Sequence, residues 1–332
     1  MSALAQTPLS PRIECEPAAK CAVCGGDGSL LYSNVRDYLF GVGGSWNIRR
    51  CVDEGCGLLW IDPLPLRSEI AKAYQTYYTH ADTHSKGSSH GRVRQLSYRL
   101  YDLTVRLVGL HRQRRELMYM FLQRAKPGRL LEVGCGNGAR LALFRDAGWV
   151  VEGVEVDTEA AKWALAKHCV LVRNGELPDL QYQDELFDAV IMNHVLEHVH
   201  DPRALVAECF RLLRPGGTFV SITPNSNSFG HAHFTQHWIG LDPPRHLHIF
   251  NKSSLLRLVE GIPACRQEVW TSAANAELIC GWSLRTQREH SRRHRLLQIP
   301  RMVAIACLQY AAVFAHAIRP LSGEECVLRL TK

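Results

Sequence analysis

The segment 130–157 constrains the fold more than any other part of this 332-residue chain. An apolar run leads into a turn with glycine at every second position, and a helix is predicted from Ala139 onward. A second apolar run follows and ends in acidic residues. Together these parts form the front half of a nucleotide-binding crossover unit, so the sequence predicts an α/β fold with a Rossmann-like doubly wound sheet. The turn glycines are Gly134, Gly136 and Gly138.

The carboxylate of Glu132, two residues before the first glycine, distinguishes between ligands for this turn. It would repel a diphosphate, whereas it would attract a cationic ligand that carries an amino acid. S-adenosylmethionine has a sulfonium, an ammonium and a ribose but no phosphate. The segment resembles motif I of class I S-adenosylmethionine-dependent methyltransferases, and Glu155 matches the acid that binds the ribose hydroxyls in that family.

Later segments extend the resemblance. Strands are predicted at 168–172 and 187–192, and the second begins with the Phe-Asp pair of the family. Residues 212–217 resemble its Leu-x-Pro-Gly-Gly turn. The resemblance implies a seven-stranded sheet whose strand ends border the cofactor. The residues predicted to bind the cofactor are Glu132, Gly134, Gly136, Gly138, Glu155, Glu176, Leu177 and Asn193.

The N-terminal part carries two pairs of cysteines on glycine-containing turns. Twelve cysteines and an N-terminus without a signal-like apolar core favour a reducing, cytoplasmic compartment, in which thiols and metal ligands are commoner than disulfides. Four thiolates on two turns suit structural zinc, although the second pair has the less common Cys-x4-Cys spacing. Cys15 is an alternative ligand, and free thiols are an alternative to zinc. The predicted ligands are Cys21, Cys24, Cys51 and Cys56.

The segment after the second cysteine pair contains Asp-Pro-x-Pro and Tyr-x-x-Tyr. With the cysteine turns, these motifs resemble the front of bacterial methyltransferases of sugar and surface-polysaccharide biosynthesis. The resemblance implies that Tyr77 and Tyr78 face the substrate, and aromatic packing is the alternative. The predicted organisation is a flexible tail at 1–17, a zinc-ribbon module at 18–62, a helical connector at 63–125, and a methyltransferase domain at 126–332 with a helical insertion at 272–322.

The turn after the fourth strand carries His194, Glu197 and His198, which share one face if the turn is helical. This turn lies at the carboxyl edge of the predicted sheet, which is where open α/β sheets bind their ligands. The pattern His-x-x-Glu-His matches the inverted zinc-peptidase motif, but a Rossmann strand before it argues against a peptidase. Ubiquinone-biosynthesis O-methyltransferases and small-RNA 2′-O-methyltransferases carry Glu-x-x-Glu-His at related turns and bind a divalent metal.

In this chain, however, His194 replaces the first glutamate of that pattern, and His248 is a further candidate ligand. Without a metal, the cluster is a general base and an orienting group for the substrate, or simply packs beside the cofactor.

The loop that follows carries Arg245, a candidate for binding a phosphate or carboxylate. Local packing is the alternative for each loop histidine. The predicted catalytic residues are His194, Glu197, His198, His246 and His248.

The C-terminal region departs from the family. Residues 266–271 and 325–330 are predicted to form strands six and seven, and about fifty residues separate them. A basic stretch at 285–301 precedes residues 302–318, which contain no Asp, Glu, Lys or Arg. These 17 residues are at the short limit for a bilayer span, and a strand must follow them, so a transmembrane helix is rejected. The remaining hypotheses are an interfacial hairpin on anionic lipid and a lid that packs on the core or on a second copy.

The sequence therefore predicts an enzyme that transfers methyl groups from S-adenosylmethionine to a hydroxyl or carbon of a small molecule, such as a sugar or lipid-linked intermediate. The formal net charge of +7 favours an anionic acceptor. The predicted location is cytoplasmic, with possible peripheral contact at the inner membrane face through 285–318. An RNA methyltransferase and a non-catalytic S-adenosylmethionine-binding protein are the alternatives, although nucleic acid is not the expected partner. The oligomeric state is not predicted.

Overall fold

The computed structural model describes residues 13–74, 105–106, 109–290 and 301–332. The predicted substrate residues Tyr77 and Tyr78 lie outside these described residues. So does most of the predicted flexible tail.

The described chain contains thirteen strands and eight α-helices. The strands are β1 (Cys15–Glu16), β2 (Gly28–Val35), β3 (Trp46–Cys51), β4 (Leu59–Asp62), β5 (Leu64–Pro65), β6 (Arg129–Val133), β7 (Val150–Glu155), β8 (Val172–Asn174), β9 (Phe187–Asn193), β10 (Leu213–Pro224), β11 (His248–Ile249), β12 (Arg266–Ser272) and β13 (Glu325–Thr331). The helices are α1 (Leu110–Met118), α2 (Ala139–Asp146), α3 (Thr158–His168), α4 (Pro202–Arg211), α5 (Phe229–Phe234), α6 (Lys252–Leu258), α7 (Ala276–His290) and α8 (Arg301–Ile318).

The main sheet has seven strands in the order β12-β13-β10-β9-β6-β7-β8. Neighbouring strands from β10 to β8 are parallel, whereas β13 is antiparallel to both β10 and β12. This is the predicted doubly wound α/β fold, and the strands expected at 187–192, 266–271 and 325–330 are confirmed. The strand expected at 168–172 is wrong, because α3 continues to His168 and β8 begins only at Val172.

The central strands β6 and β9 are mostly apolar because both faces of the sheet are covered. On β9, Val190 and Met192 belong to one hydrophobic core and Ile191 to the other. On β6, Leu131 and Leu130 divide between the two cores in the same way. Since successive side chains of a strand point to opposite faces, this division fixes the register of the strands that carry the glycine turn.

The N-terminal module forms a second sheet with part of the main domain. Strands β2, β3 and β4 form an antiparallel sheet, and β11, from far along the chain, pairs with β4 at its edge. Leu58 and Trp60 pack in the same core as Phe250 and Leu255 at the start of α6. The side chain of Asn251 donates a 2.9 Å hydrogen bond to the carbonyl of Gly57. The module is therefore joined to the loop that contains the predicted histidines.

Helices α7 and α8 occupy the connection between β12 and β13 and pack against each other. Helix α7 also packs on α5 and on the 3-10 helices Thr235–His237 and Ile239–Leu241, and α8 packs on α5. A Cβ atom on Gly281 would lie 3.3 Å from Cδ1 of Ile305, so this glycine allows the two helices to approach closely. Among the residues that the structure describes, no helix is long and apolar enough to cross a bilayer.

Candidate active site

The glycine turn after β6 forms a cradle at the carboxyl edge of the main sheet. Gly134 has a φ of +68°, and a Cβ atom there would lie 2.4 Å from Cγ2 of Val195, so the position requires glycine. Gly136 also has a positive φ, but a Cβ on it would meet no atom within 4 Å. Glu155 accepts hydrogen bonds from the backbone N–H groups of Gly136, at 2.8 Å, and Asp157, at 3.0 Å. The turn is thus fixed on one side and open on the other.

The Glu132 carboxylate is buried beside this cradle, with only 3% of the residue exposed. Its Oε1 atom is 3.3 Å from Nη1 of Arg140, but among the described residues no donor contacts its Oε2 atom. Burial raises the pKa of Glu132 to about 7, although the nearby Arg140 opposes the increase. A buried carboxylate oxygen without a donor favours a cationic or hydrogen-bonding ligand at this place.

The other predicted cofactor residues lie on the loops that follow neighbouring strands. Gly138, with a φ of +74°, begins α2, and a Cβ there would lie 2.8 Å from Cβ of Ala164. Glu176 forms an ion pair with Arg67, two residues after the end of β5. Leu177 is buried in a hydrophobic core, and Asn193 is the last residue of β9. These positions are consistent with a cofactor site at the carboxyl edge of the main sheet. The role of each residue stays a prediction.

The turn after β9 brings His194 and Glu197 together. The Nδ1 atom of His194 lies 3.0 Å from Oε1 of Glu197, and its Nε2 atom lies 3.1 Å from Oε1 of Glu325. Burial disfavours the charged ring, but the two carboxylates outweigh it and raise the pKa of His194 to about 10. Burial also favours a neutral Glu197, but the contact with His194 outweighs this and lowers the pKa of Glu197 to about 2. His194 is therefore protonated at neutral pH and is not poised to act as a base.

His198 and His246 form the second part of the cluster, with ring centroids 4.7 Å apart. Nδ1 of His198 is 3.0 Å from the carbonyl oxygen of Arg245, and Nδ1 of His246 is 2.8 Å from the carbonyl oxygen of Gly240. Because a carbonyl only accepts, each Nδ1 carries a proton, which leaves Nε2 as the ring nitrogen available to bind a ligand. Burial and the neighbouring His246 lower the pKa of His198 to about 4, so its ring is neutral at pH 7.

Glu197, His198 and His246 each offer a ligand atom within 4.8 Å of the others. The backbone carbonyls behind the two rings hold them in the tautomer that metal-binding histidines usually have. The donor set of two imidazoles and a carboxylate thus fits a divalent transition metal. His194 is not part of this group, because Glu197 and Glu325 occupy its two nitrogens. His248 is not part of it either: it lies buried in β11, and burial lowers its pKa to about 4.

Arg245 is completely buried and pairs with carboxylates of the protein itself. Its guanidinium donates to Oδ2 of Asp242 at 2.9 Å and to Oδ2 of Asp37 at 2.9 Å, and its Nη1 atom also reaches the carbonyl oxygen of Ala73. The ring of Phe40 lies against it, 4.5 Å from centroid to Cζ. A substrate phosphate would have to displace these partners, so the structure gives Arg245 a place in the framework beneath the histidines.

The four predicted zinc ligands lie together in the N-terminal module. Sγ of Cys21 is 3.7 Å from that of Cys56, and Sγ of Cys24 is 3.4 Å from that of Cys51. Tetrahedral zinc with bonds of about 2.3 Å requires thiolates about 3.8 Å apart, so the group fits the ion. The hydrogen bond from the Cys56 thiol lowers the pKa of Cys21 to about 5.

Backbone hydrogen bonds explain how the longer second turn fits. The amide of Cys56 donates to the carbonyl of Asp53 at 3.0 Å, and the side chain of Asp53 accepts from the amide of Gly55 at 2.8 Å. This extra turn closes the Cys-x4-Cys loop and brings its two thiols to one side. Cys15 lies elsewhere, in β1, and packs in a different core.

Three contacts of the cluster were not predicted as functional from the sequence. The hydroxyl of Thr223 donates to Oε2 of Glu197 at 3.0 Å, and the hydroxyl of Tyr74 lies 2.9 Å from Nδ1 of His198. Glu325 reaches His194 from the last strand, 131 residues away. Tyr74 is the first tyrosine of the Tyr-x-x-Tyr motif that contains Tyr77, and Thr223 lies near the end of β10. For Glu325, only its place at the start of the last strand offered a signal.

The fold and this edge define a Rossmann-like protein with a cofactor cradle beside a carboxylate–histidine cluster. Residues 105–262 match the family model described as a methyltransferase domain. This segment of the chain is therefore a methyltransferase domain of that family.

Two curated relatives and one solved structure illustrate the similarity. A probable S-adenosylmethionine-dependent methyltransferase of Mycolicibacterium smegmatis is 35% identical over 150 residues, which are 45% of this chain and 56% of the relative. A ubiquinone biosynthesis O-methyltransferase of Paracidovorax citrulli is 32% identical over 151 residues, 42% of this chain and 61% of the relative. The chain thus spans little more than half the length of these relatives.

The geranyl diphosphate C-methyltransferase of Streptomyces coelicolor A3(2) superposes with a TM-score of 0.45 and 16% identity. The match covers 68% of this chain and 81% of that structure.

Proposed function

We propose that this protein is an enzyme that transfers the methyl group of S-adenosylmethionine to a hydroxyl or carbon of a small-molecule acceptor, such as a sugar or a lipid-linked biosynthetic intermediate. The observation that carries the proposal is the buried Oε2 atom of Glu132, which has no donor among the described residues and lies beside the open face of the glycine cradle. The methyltransferase domain match at 105–262 supports the same cofactor.

The roles of the residues follow from charge and position. An ionised Glu132 attracts the cationic end of the cofactor and makes a poor neighbour for a diphosphate. Glu155, already aligned by two backbone amides, keeps electron pairs for ribose hydroxyls. The sulfonium is a good electrophile, so the main task of the chain is to hold the acceptor in line with the methyl group. The turn that contains His194 follows β9, the strand next to β6, and touches the cradle through Val195.

The cofactor is tested by calorimetry with S-adenosylmethionine, S-adenosylhomocysteine and NADH. Binding of the first two and not of NADH is expected, and the opposite result would overturn the proposal. Labelled-methyl transfer into fractions of a cell extract then tests catalysis. Label in small molecules is expected. Salt-sensitive transfer to RNA would favour the RNA methyltransferase, and cofactor binding without transfer to any fraction would favour the non-catalytic protein.

A divalent metal held by Glu197, His198 and His246 is a second part of the proposal. The carbonyls of Arg245 and Gly240 favour rings with free Nε2 atoms, and nitrogen ligands favour manganese, cobalt or zinc over magnesium. When bound, such an ion supplies a Lewis acid that makes an acceptor hydroxyl easier to deprotonate. His198 alone is a weak base for that step because its pKa is about 4.

Calorimetry with manganese and with magnesium tests this site without an assay of activity. Wild-type protein is expected to bind manganese more tightly than magnesium, and the variant His246→Ala is expected to lose most of the manganese affinity. The control is His111→Ala, an exposed histidine on α1. Equal binding by wild type and His246→Ala would exclude this metal site. Structural zinc at the four cysteines is proposed on the same footing, with metal analysis of purified protein as its test.

We further propose that the helical insertion contacts an anionic lipid surface. The side chains of Val303, Phe314 and Ile318 are 50%, 68% and 63% exposed, and their spacing places them on one face of α8. Helix α7 exposes Trp282, and Arg285 lies over its ring. Exposed apolar residues beside arginine suit the boundary between headgroups and acyl chains.

Co-sedimentation with phosphatidylglycerol vesicles tests this contact. Wild-type protein is expected to pellet, and the double variant Phe314→Asp/Ile318→Asp is expected to stay in the supernatant. The control is Leu171→Asp, because Leu171 is an exposed apolar residue outside the insertion. Equal pelleting of the wild type and the double variant would remove the membrane from the proposal and leave the lid as the role of the insertion.

A further inference from the structure

Hydrogen bonds join the ends of three strands to the first residues of the insertion. Thr223, near the end of β10, donates to Oε2 of Glu197 at 3.0 Å, and Oε1 of Glu197 lies 3.0 Å from Nδ1 of His194. Nε2 of His194 lies 3.1 Å from Oε1 of Glu325 at the start of β13. Finally, the amide of Asn275 donates to Oε2 of Glu325 at 3.2 Å. Every side-chain oxygen of both carboxylates therefore has a partner in this chain of contacts.

The two carboxylates of this network are buried, whereas the side chain of His194 between them is 36% exposed. Glu197 is 0% exposed and Glu325 is 2% exposed, so water does not replace these partners easily. The backbone of His194 has a φ of +55°, which is uncommon for a residue with a side chain. Its amide donates to the carbonyl of Ile222 at 2.8 Å, and its ring makes the two carboxylate contacts. The conformation of the turn thus depends on partners outside the turn.

We propose that Glu325 is a positioning residue for methyl transfer, which acts through His194 to hold the carboxylate of Glu197. This inference rests on the proposed function, because it assigns the turn after β9 to the acceptor side of a methyltransferase. Glu325 pairs in register with Pro224 of β10 and Ser272 of β12, so its backbone is fixed by two neighbouring strands. Through its contact with His194, Glu325 holds in place a turn that lies two strands away from β13 in the sheet.

Loss of Glu325 would affect the reaction by disturbing the alignment of the reacting groups. Without Glu325, Nε2 of His194 has no acceptor in the network, and the ring no longer fixes the orientation of Glu197. A displacement of about 1 Å at a reacting group costs about a hundredfold in rate. The cofactor cradle is built by β6, β7 and their loops, and the network contains no residue of either strand. Loss of the network therefore lowers turnover while the affinity for S-adenosylmethionine stays constant.

The same network joins the insertion to the site. Asn275 immediately precedes α7, and Glu325 follows the return of the chain from α8. A shift of the helices would act on His194 through both residues. Asn275 touches only the oxygen of Glu325 that faces away from His194, so its removal is expected to have the smaller effect.

The test compares Glu325→Ala, Glu325→Gln and Asn275→Ala with wild type. Glu325→Ala is expected to lower kcat about a hundredfold with an S-adenosylmethionine Kd within twofold of wild type. Glu325→Gln keeps an acceptor oxygen for Nε2 but loses the one that accepts from Asn275, so its kcat is expected to fall about tenfold, and that of Asn275→Ala about fivefold. The matched control is Glu268→Gln, an acid of β12 that pairs with Arg266 and Arg329, with no change expected.

Unchanged kcat in Glu325→Ala would overturn the positioning role. So would a parallel loss of kcat, cofactor affinity and thermal stability, because that result would show a purely structural residue. If Glu325→Ala does not fold, Glu325→Gln and Asn275→Ala carry the comparison, and wild-type kcat in both would overturn the role as well.

Spectra of protein labelled with 15N-histidine test the contacts without turnover. The ring nitrogen signals of His194 are expected to shift in Glu325→Ala relative to wild type, because Nε2 loses its contact with Oε1 of Glu325. Unchanged ring signals in Glu325→Ala would contradict the network. If these spectra agree but the wild type binds no S-adenosylmethionine, the proposed function fails and the link from Glu325 to Glu197 stands.

Discussion

The cofactor cradle and the histidine cluster lie side by side at one edge of the sheet, yet they are assembled in opposite ways. The cradle comes from one continuous segment, in which Glu132 and Glu155 belong to adjacent strands. The cluster needs Tyr74, the turn after β9, the loop that contains His246, and Glu325. Local spacing therefore specifies the first site, whereas the second exists only after distant parts of the chain have packed.

The framework of the cluster gives the largest expected effect. Replacement of Arg245 by Met leaves Asp37 and Asp242 buried without their cation, so we expect a loss of about 3 to 5 kcal/mol in the free energy of unfolding. Urea denaturation measures the change. The control is Arg214→Met, because Arg214 pairs with Asp188 at the surface and is expected to contribute about 1 kcal/mol or less. If Arg245→Met keeps its stability but raises the KM of an acceptor, Arg245 binds substrate as the sequence suggested.

The next effect separates the two sites by function. His198→Ala removes a neutral imidazole from the cluster without touching the cradle, so we expect kcat to fall about a thousandfold and the Kd of S-adenosylmethionine to stay within threefold. Single-turnover kinetics with calorimetry measure both values. The exposed histidine variant His111→Ala provides the baseline. A variant that loses cofactor affinity and turnover together would show that the two sites are not separate.

On the cradle side, Glu132→Gln removes the buried charge and keeps the shape of the side chain. We expect cofactor affinity to fall between about tenfold and a hundredfold, because hydrogen bonds to charged groups contribute about 1.5 to 3 kcal/mol. Titration calorimetry measures the Kd. Glu152→Gln changes a buried acid of β7 whose partners are Tyr182 and Arg173, and it is expected to bind the cofactor normally. Equal losses in both variants would indicate general damage to the sheet.

The smallest effect is a pH dependence that belongs to the cradle. The pKa of Glu132 is about 7 before a ligand binds, and a cationic ligand prefers the ionised carboxylate. Affinity for S-adenosylmethionine is therefore full above pH 7 and decreases as the pH falls, by about thirtyfold from pH 8.5 to pH 5.5. Calorimetry at these pH values checks the slope. The variant Glu132→Gln is expected to abolish it, and a slope that survives in the variant would assign the proton to another group.

The contrast explains how far the sequence could predict this molecule. The glycine turn, most strands of the main sheet and the four cysteines follow from patterns within short windows, whereas the strand expected at 168–172 was displaced by the end of α3. The sequence also placed His194 and His198 in one cluster. Their different protonation could not be predicted, because the raised pKa of His194 depends on Glu197 and Glu325, and the lowered pKa of His198 depends on burial beside His246, which only tertiary packing supplies. The prediction that Arg245 binds a phosphate or carboxylate of the substrate did not foresee its ion pair with Asp37, which lies 208 positions away.

The pairing of β11 with β4 also bears on how this protein can be divided. His248 and Ile249 complete the edge of the N-terminal sheet opposite Trp60 and Leu59. A fragment trimmed to begin at residue 126 would carry a two-residue strand with no neighbour and an uncovered apolar patch around Phe250. Expression of the methyltransferase half by itself would consequently yield a defective product, and an exchange of front modules between homologues would have to carry its matching strand along.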